Sequence, residues 1–193
     1  GYAGQMGGVL SAGEGSSAMA LVTLNVEPLT HIVGFTSGGA SGSYFSRRES
    51  PISPLKIHAE QSIEQVCAYT EKLDFGGTDC ALPMLYAKEN NIDAEAFVIY
   101  TDNETWAGGV HPSEALRQYR AKSGLGSRLA VVGMTSTGFS IADPNDAGMM
   151  DFVGFDTNAP ALIADFMRGF GDKALEAPVL QITDESEVVD PVE

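Results

Sequence analysis

Basic residues are scarce in this sequence. Of 193 residues, 11 are Lys or Arg and 26 are Asp or Glu, for a formal net charge of -15. A protein surface that grips RNA by itself neutralises phosphates with Lys and Arg. This composition makes the chain a poor autonomous nucleic-acid binder, so any RNA would be held by another domain. Cysteine is nearly absent as well. Cys67 and Cys80 are too few for a disulfide framework and lack CxxC spacing, so both are expected as reduced, buried thiols. No apolar run approaches the roughly 18–20 residues that a membrane helix needs. The segment Gly1-Tyr2-Ala3-Gly4-Gln5 lacks the basic and apolar regions of a secretory signal, and a cytoplasmic setting is expected. Neither GxxxxGK[ST] nor GxGxxG occurs, which counts against a nucleotide-gripping loop.

What is present suffices for one domain with a sizeable core, since 44% of the residues are hydrophobic. The segment 7–24 is rich in small residues, and its second half is expected to be a buried helix. Residues 31–35 read as a short buried strand, followed by a Gly/Ser loop at 37–43. Ser50-Pro51 and Ser53-Pro54 keep the next stretch extended or looped, because a residue before proline avoids the helical region. Helical spacing predicts a helix within 59–73 and another over 79–90, with Pro83 in its first turn. The continuous apolar run 96–100 suits a central parallel strand covered on both faces. A helix over 112–121, a buried strand at 129–134, an edge strand at 151–155 and a helix over 159–170 complete the pattern. Strands alternating with helices argue for an α/β fold, an open and mostly parallel sheet with helices on both faces. The domain is placed at 1–171 and a flexible acidic tail at 172–193.

In such sheets ligands bind beyond the carboxyl ends of the strands. Two segments are expected there: the turn Gly76-Gly77-Thr78-Asp79, and Tyr100-Thr101-Asp102-Asn103-Glu104 after the most apolar strand. A hydroxyl at Thr78 and a carboxylate at Asp102 suit a hard cation such as Mg²⁺, which takes oxygen ligands. The plainer alternatives are helix or turn caps at both positions. Asp79 and Glu104 are expected as caps or supports behind the ligands. Trp106 is either a partner contact at the rim or an aromatic wedged into the domain. His31, His58 and His111 are expected to be structural, and the methionines, including Met149-Met150, core filler.

These motifs resemble the von Willebrand factor A-type domain, whose metal-ion-dependent adhesion site pairs a Gly-Gly-Thr turn with a strand followed by Thr-Asp-x-Glu. Longer segments are similar to the Ro autoantigen (TROVE) family in particular. They are Gly76 to Met84, Tyr100 to Pro112, Gly133 to Pro144 and Gly154-Phe155-Asp156, and the likeness spans about Val9 to Phe170. It implies a non-enzymatic, metal-dependent binding module with Thr78 and Asp102 as ligands. Gly77, Asp79, Asn103, Glu104 and Trp106 would lie behind them or against a partner. It further implies a parent ribonucleoprotein whose separate helical-repeat domain holds small non-coding RNA, and a protein ligand that offers an acidic group to the metal. The family's Asp-x-Ser-x-Ser loop and the strand before it are not found in this sequence. Mg²⁺ binding is therefore expected to be weak or absent unless a companion chain or domain supplies both. The alternatives are a metal-free scaffold fragment completed by a partner chain, and a Mg²⁺-dependent phosphoryl-transfer enzyme using Asp102.

Overall fold

A computed structural model describes residues 5–6, 10–27, 29–36, 51–73, 78–101, 108–134, 140–154 and 158–169. The acidic stretch 172–193 lies outside them, as do the glycine-rich loop at 37–43 and residues 155–157. Two short strands, β1 (Gln5–Met6) and β2 (Leu10–Ser11), pair antiparallel and lead into α1 (Ala12–Val26). The glycines do not delay this helix. Ser11 accepts from the Glu14 N–H while the Glu14 carboxylate accepts from the Ser11 N–H, a reciprocal cap that satisfies two otherwise orphaned donors. The small residues let α1 approach its neighbours closely. Ala12 enters the core, and the Ser17 hydroxyl meets that of Thr70 at 3.2 Å on α2 (Ile63–Thr70). Ser62 and Gln65 cap α2 in the same reciprocal way.

Between these helices β3 (Val33–Phe35) pairs antiparallel with β4 (Ile52–Pro54). The proline-flanked segment, expected to be extended or looped, is thus a strand, with Pro54 at its end, where its missing N–H is tolerated. Next, α3 (Leu82–Asn90) packs on both β3 and β4 and on α4 (Pro112–Ser123). The main sheet is parallel, in the order β5 (Ala96–Thr101), β6 (Arg128–Gly133), β7 (Met149–Val153). Against it lies α5 (Ala159–Met167).

One core contains Met84, Phe97, Ile99, Leu116, Tyr119, Leu129 and Val131, with Phe35 against it. On the other face, Ala12, Ala130, Val132, Met134, Ile163 and Phe166 form a second. Alternate residues of β6 thus serve opposite faces, as a two-sided parallel strand requires. β5 is covered less evenly, because Phe97 and Ile99 are buried but Val98 is 37% exposed. Four expectations need correction. β3, expected to be buried, is half-buried along its length, and the second half of the segment 7–24, expected to be a buried helix, buries only Ser17 and Met19. Met149 is core, but Met150 is 42% exposed on β7, the strand at the rim of this sheet. Cys80 is buried, whereas Cys67 is only half-buried, since α2 buries Val66 and little else.

Tyr119 ties α4 to the entry of β5. Its hydroxyl accepts from the Ala94 N–H at 2.7 Å and donates to the Ile92 carbonyl at 2.8 Å, and its ring meets Phe97 edge-on with centroids 5.0 Å apart. Tyr119→Phe keeps the ring contact and strips both backbone groups of a partner. Chemical denaturation should show a loss of about 2 kcal/mol, within the range for orphaned buried polar groups.

Candidate metal site at the carboxyl end of the sheet

Register brings the carboxyl ends of three strands to one end of the sheet. Thr101 pairs with Gly133, and Gly133 with Val153, so β5, β6 and β7 stop level with one another. The Met134 N–H donates to the Thr101 carbonyl at 2.8 Å, closing the end of the ladder, and Thr101 itself is buried.

The start of α3 meets the approach to α4 through Asp79. Its Oδ1 accepts from the Ala81 N–H at 3.0 Å. Its carboxylate also fills the space beside Gly108, where the chain returns from β5 towards α4. Partial burial pushes the Asp79 pKa up, against the pull of the Ala81 N–H. Thr78 is half-buried just before it and is not the residue that caps α3. That position is held by Ala81, which brings no side-chain cap. Gly77, Asp102, Asn103, Glu104 and Trp106 lie outside the described residues. Of the residues singled out from sequence, the structure therefore places Thr78 and Asp79 side by side.

His111, expected to be structural, caps α4. Its Nδ1 accepts from the Ser113 N–H at 3.3 Å and lies 2.8 Å from the Ser113 hydroxyl. His31 and His58 are exposed.

The run Asp143-Pro144-Asn145-Asp146 reads from sequence as a loop leading to the last strand, but the partners of the carboxylates in the β6–β7 connection were not foreseen. Asp151 on β7 accepts from the Ser140 hydroxyl and from the Ile141 and Ala142 N–H groups. Asp143 pairs with Arg117 at 2.7 Å and accepts from the Asn145 N–H at 3.0 Å. That backbone bond, reinforced by Arg117, holds its pKa below the ordinary carboxylate range. Asp146 pairs with Arg120 and accepts from the Gly148 N–H at 2.9 Å. The available signal was the Asp143-Pro144-Asn145-Asp146 run, because Asp and Asn favour turns by bonding backbone two residues on.

The oxygen donors of Thr78 and Asp79 suit a hard cation in kind. They do not suffice in number, since Mg²⁺ prefers an octahedral oxygen shell. Among the described residues no group of three or more His, Cys, Asp or Glu side chains is placed to hold a metal. Two open grooves lie elsewhere. One, of about 180 Å³, is lined by Leu24, His31, Val33, Pro54 and Tyr86. The other, of about 250 Å³, is lined by Glu95, Leu125, Arg128 and Met167. Neither includes Thr78, Asp79 or Thr101.

Residues 2–167 match the profile of the Ro60 vWA domain. The chain belongs to the Ro60 vWA domain family. It is 42% identical over 168 residues to the RNA-binding protein RO60 of Deinococcus radiodurans, covering 86% of this chain and 29% of that protein. To the RNA-binding protein RO60 of Caenorhabditis elegans it is 40% identical over 161 residues, covering 83% and 23%. The crystal structure of the Deinococcus radiodurans Ro (RSR) protein superposes with a TM-score of 0.76 at 41% identity, over 87% of this chain and 32% of that one. The chain thus spans less than a third of the length of these relatives. The α/β architecture expected from the alternating pattern is that of the Ro60 vWA domain, and the four quoted segments identified the family correctly. Among the described residues no helix is long and apolar enough to cross a membrane.

Proposed function

We propose that this vWA domain is a non-enzymatic, metal-ion-dependent binding module of a Ro-like small-RNA-binding ribonucleoprotein. The observation that carries this is the family match over residues 2–167, together with relatives that are named RNA-binding proteins. Charge divides the labour. With 11 basic residues against 26 acidic ones, this domain repels phosphate, and a helical-repeat domain outside this chain holds the RNA. The vWA domain contributes a site for a protein ligand. Thr78 and Asp102 hold Mg²⁺ or a similar divalent cation with an Asp-x-Ser-x-Ser loop supplied by a companion segment, and an acidic group of the ligand completes the shell. Gly77, Asp79, Asn103, Glu104 and Trp106 support the ligands or line the rim, and the assembly works in the cytoplasm.

Native mass spectrometry with and without Mg²⁺ tests the metal, and gel-shift titration with a structured small RNA tests the division of labour. The chain alone should leave RNA unshifted at physiological salt, and it should take up Mg²⁺ measurably only when the companion loop is present. Asp102→Ala should abolish that uptake while leaving the thermal midpoint nearly unchanged. Tight RNA binding by this chain alone would refute the division of labour. Failure of Mg²⁺ to bind the completed domain would leave a metal-free scaffold.

A further inference from the structure

We propose that Asp79 is a positioning residue that fixes the return of the β5–α4 connection against the start of α3, with Gly108 as its obligate partner. This rests on the metal-site proposal for its functional meaning, but its geometry stands apart from any metal. Gly108 has φ +132°, in the region that side-chain-bearing residues rarely adopt. A Cβ built there would lie 2.5 Å from Asp79 Oδ2, 2.6 Å from Cγ and 2.7 Å from Oδ1. Real Cβ atoms do not come so close, so a side chain at 108 would displace the carboxylate. The carboxylate cannot yield cheaply, because Oδ1 holds the Ala81 N–H and α3 has no side-chain cap from its own N-cap residue. One short side chain therefore serves two elements distant in sequence.

The consequence concerns where the chain between β5 and α4 is tied down. At its departure, Thr101 is buried and locked to Met134. At its return, Gly108 abuts Asp79, and three residues later His111 caps α4. Asp79 thus sets the spacing between the Thr78 turn and the point where the segment carrying Asp102 rejoins the fold. Were a divalent cation held by Thr78 and Asp102, Asp79 would serve as the supporting group that keeps their spacing constant.

Hydrogen exchange read by mass spectrometry, with Asp79→Ala, Asp79→Asn and Gly108→Ala in this chain, tests the anchor. Asp79→Ala should speed exchange in both 80–82 and 108–111 by about tenfold, as expected when a local tie of roughly hydrogen-bond strength is lost. Asp79→Asn, which keeps the shape and the acceptor, should restore protection in both segments. Gly108→Ala should loosen both. Tyr119→Phe, which destabilises without touching this contact, should leave the ratio between these segments and the rest of the protein unchanged. If Asp79→Ala loosens 80–82 alone, Asp79 is a helix cap and the proposal fails. Millimolar Mg²⁺ added with the companion loop separates the two ideas. No Mg²⁺-dependent protection in the wild-type chain overturns the metal site and leaves the anchor intact. Mg²⁺ protection undiminished in Asp79→Ala overturns the positioning role.

Discussion

Arg120→Ala is expected to lower the unfolding free energy by about 3 kcal/mol, at the lower edge of the range for breaking a buried ion pair by removing one partner. The low end applies because the Arg120 and Asp146 side chains retain 23% and 20% exposure. Arg120 sits on α4 and joins three other places. Its Nε donates to the Ser127 carbonyl at 2.8 Å and its Nη1 to the Asp146 carboxylate. Its Nη2 occupies the space a side chain at Gly148 would need. Ser127, buried, in turn donates from its hydroxyl to the Ala94 carbonyl at 2.6 Å before β5. Truncating Arg120 therefore strands a half-buried carboxylate, orphans a carbonyl and opens a void under the β6–β7 connection. Arg120→Lys should recover part of the loss, because a single ammonium keeps the charge but cannot span both acceptors. In a thermal melt the alanine variant should fall by roughly 6–12 °C, at about 2–4 °C per kcal/mol for a domain of this size.

The same pair makes a pH prediction. Burial works against ionisation of Asp146, but the Arg120 hydrogen bond, the Gly148 N–H and the Arg120 charge outweigh it and hold its pKa below the ordinary value. A depressed carboxylate contributes stability above its unfolded pKa, near 3.9, and that contribution drains away as pH falls through the lower folded value. The gap between wild type and Arg120→Ala should therefore be widest near neutrality and shrink below about pH 4. Denaturation curves at pH 7 and pH 3 with an unchanged gap would show that Asp146 is not the group responsible.

Why the pairings of the β6–β7 carboxylates were not legible in the sequence, while β5, β6 and α4 were, follows from what each depends on. The run 129–134 is apolar throughout because its alternate residues fill two different cores, and that shows as a pattern. The start of α4 at Pro112 was legible because a proline suits a first helical turn. The reciprocal caps Ser11–Glu14 and Ser62–Gln65 were equally visible as local spacings. They would have placed the start of α1 ahead of its glycines and narrowed the helix expected within 59–73 to Ile63–Thr70. Asp143 with Arg117, Asp151 with the backbone at 140–142, and Asp79 with Gly108 are agreements between parts of the chain that meet only after folding. The Asp143-Pro144-Asn145-Asp146 run marks a turn, but no local pattern says which partners those carboxylates take. Met150 and Cys67 failed for a related reason, because hydrophobic character sets a tendency to be buried, not the supply of neighbours.

The second expected effect lies on the edge of β5 away from β6, where no strand pairs with it among the described residues. The Arg128 N–H donates to the Glu95 carbonyl and the Met134 N–H to the Thr101 carbonyl, so the odd-numbered residues direct their backbone groups to β6. The groups of Ala96 and Val98 therefore point the other way. Val98 is partly exposed although its register partner Ala130 is fully buried. β3 belongs to a separate pair, yet Phe35 packs on the same core as Phe97 and Ile99, and α3 touches both β3 and β4. A parallel strand beside β5 would cover Val98, satisfy those backbone groups and place its own carboxyl end level with Thr101. A synthetic peptide with a short apolar run followed by Asp-x-Ser-x-Ser should therefore bind in trans. At about a hundredfold excess over its dissociation constant it should add about 2.7 kcal/mol, which raises the melting midpoint by roughly 5–10 °C. A peptide with the apolar run scrambled to polar residues should do nothing. With the intact peptide, Mg²⁺ should add a further increment that Thr78→Ala or Asp102→Ala removes and that chelation reverses. A midpoint that rises with the peptide but ignores Mg²⁺ keeps the strand and discards the metal. A midpoint that does not move shows that β5 is closed by something other than a parallel strand.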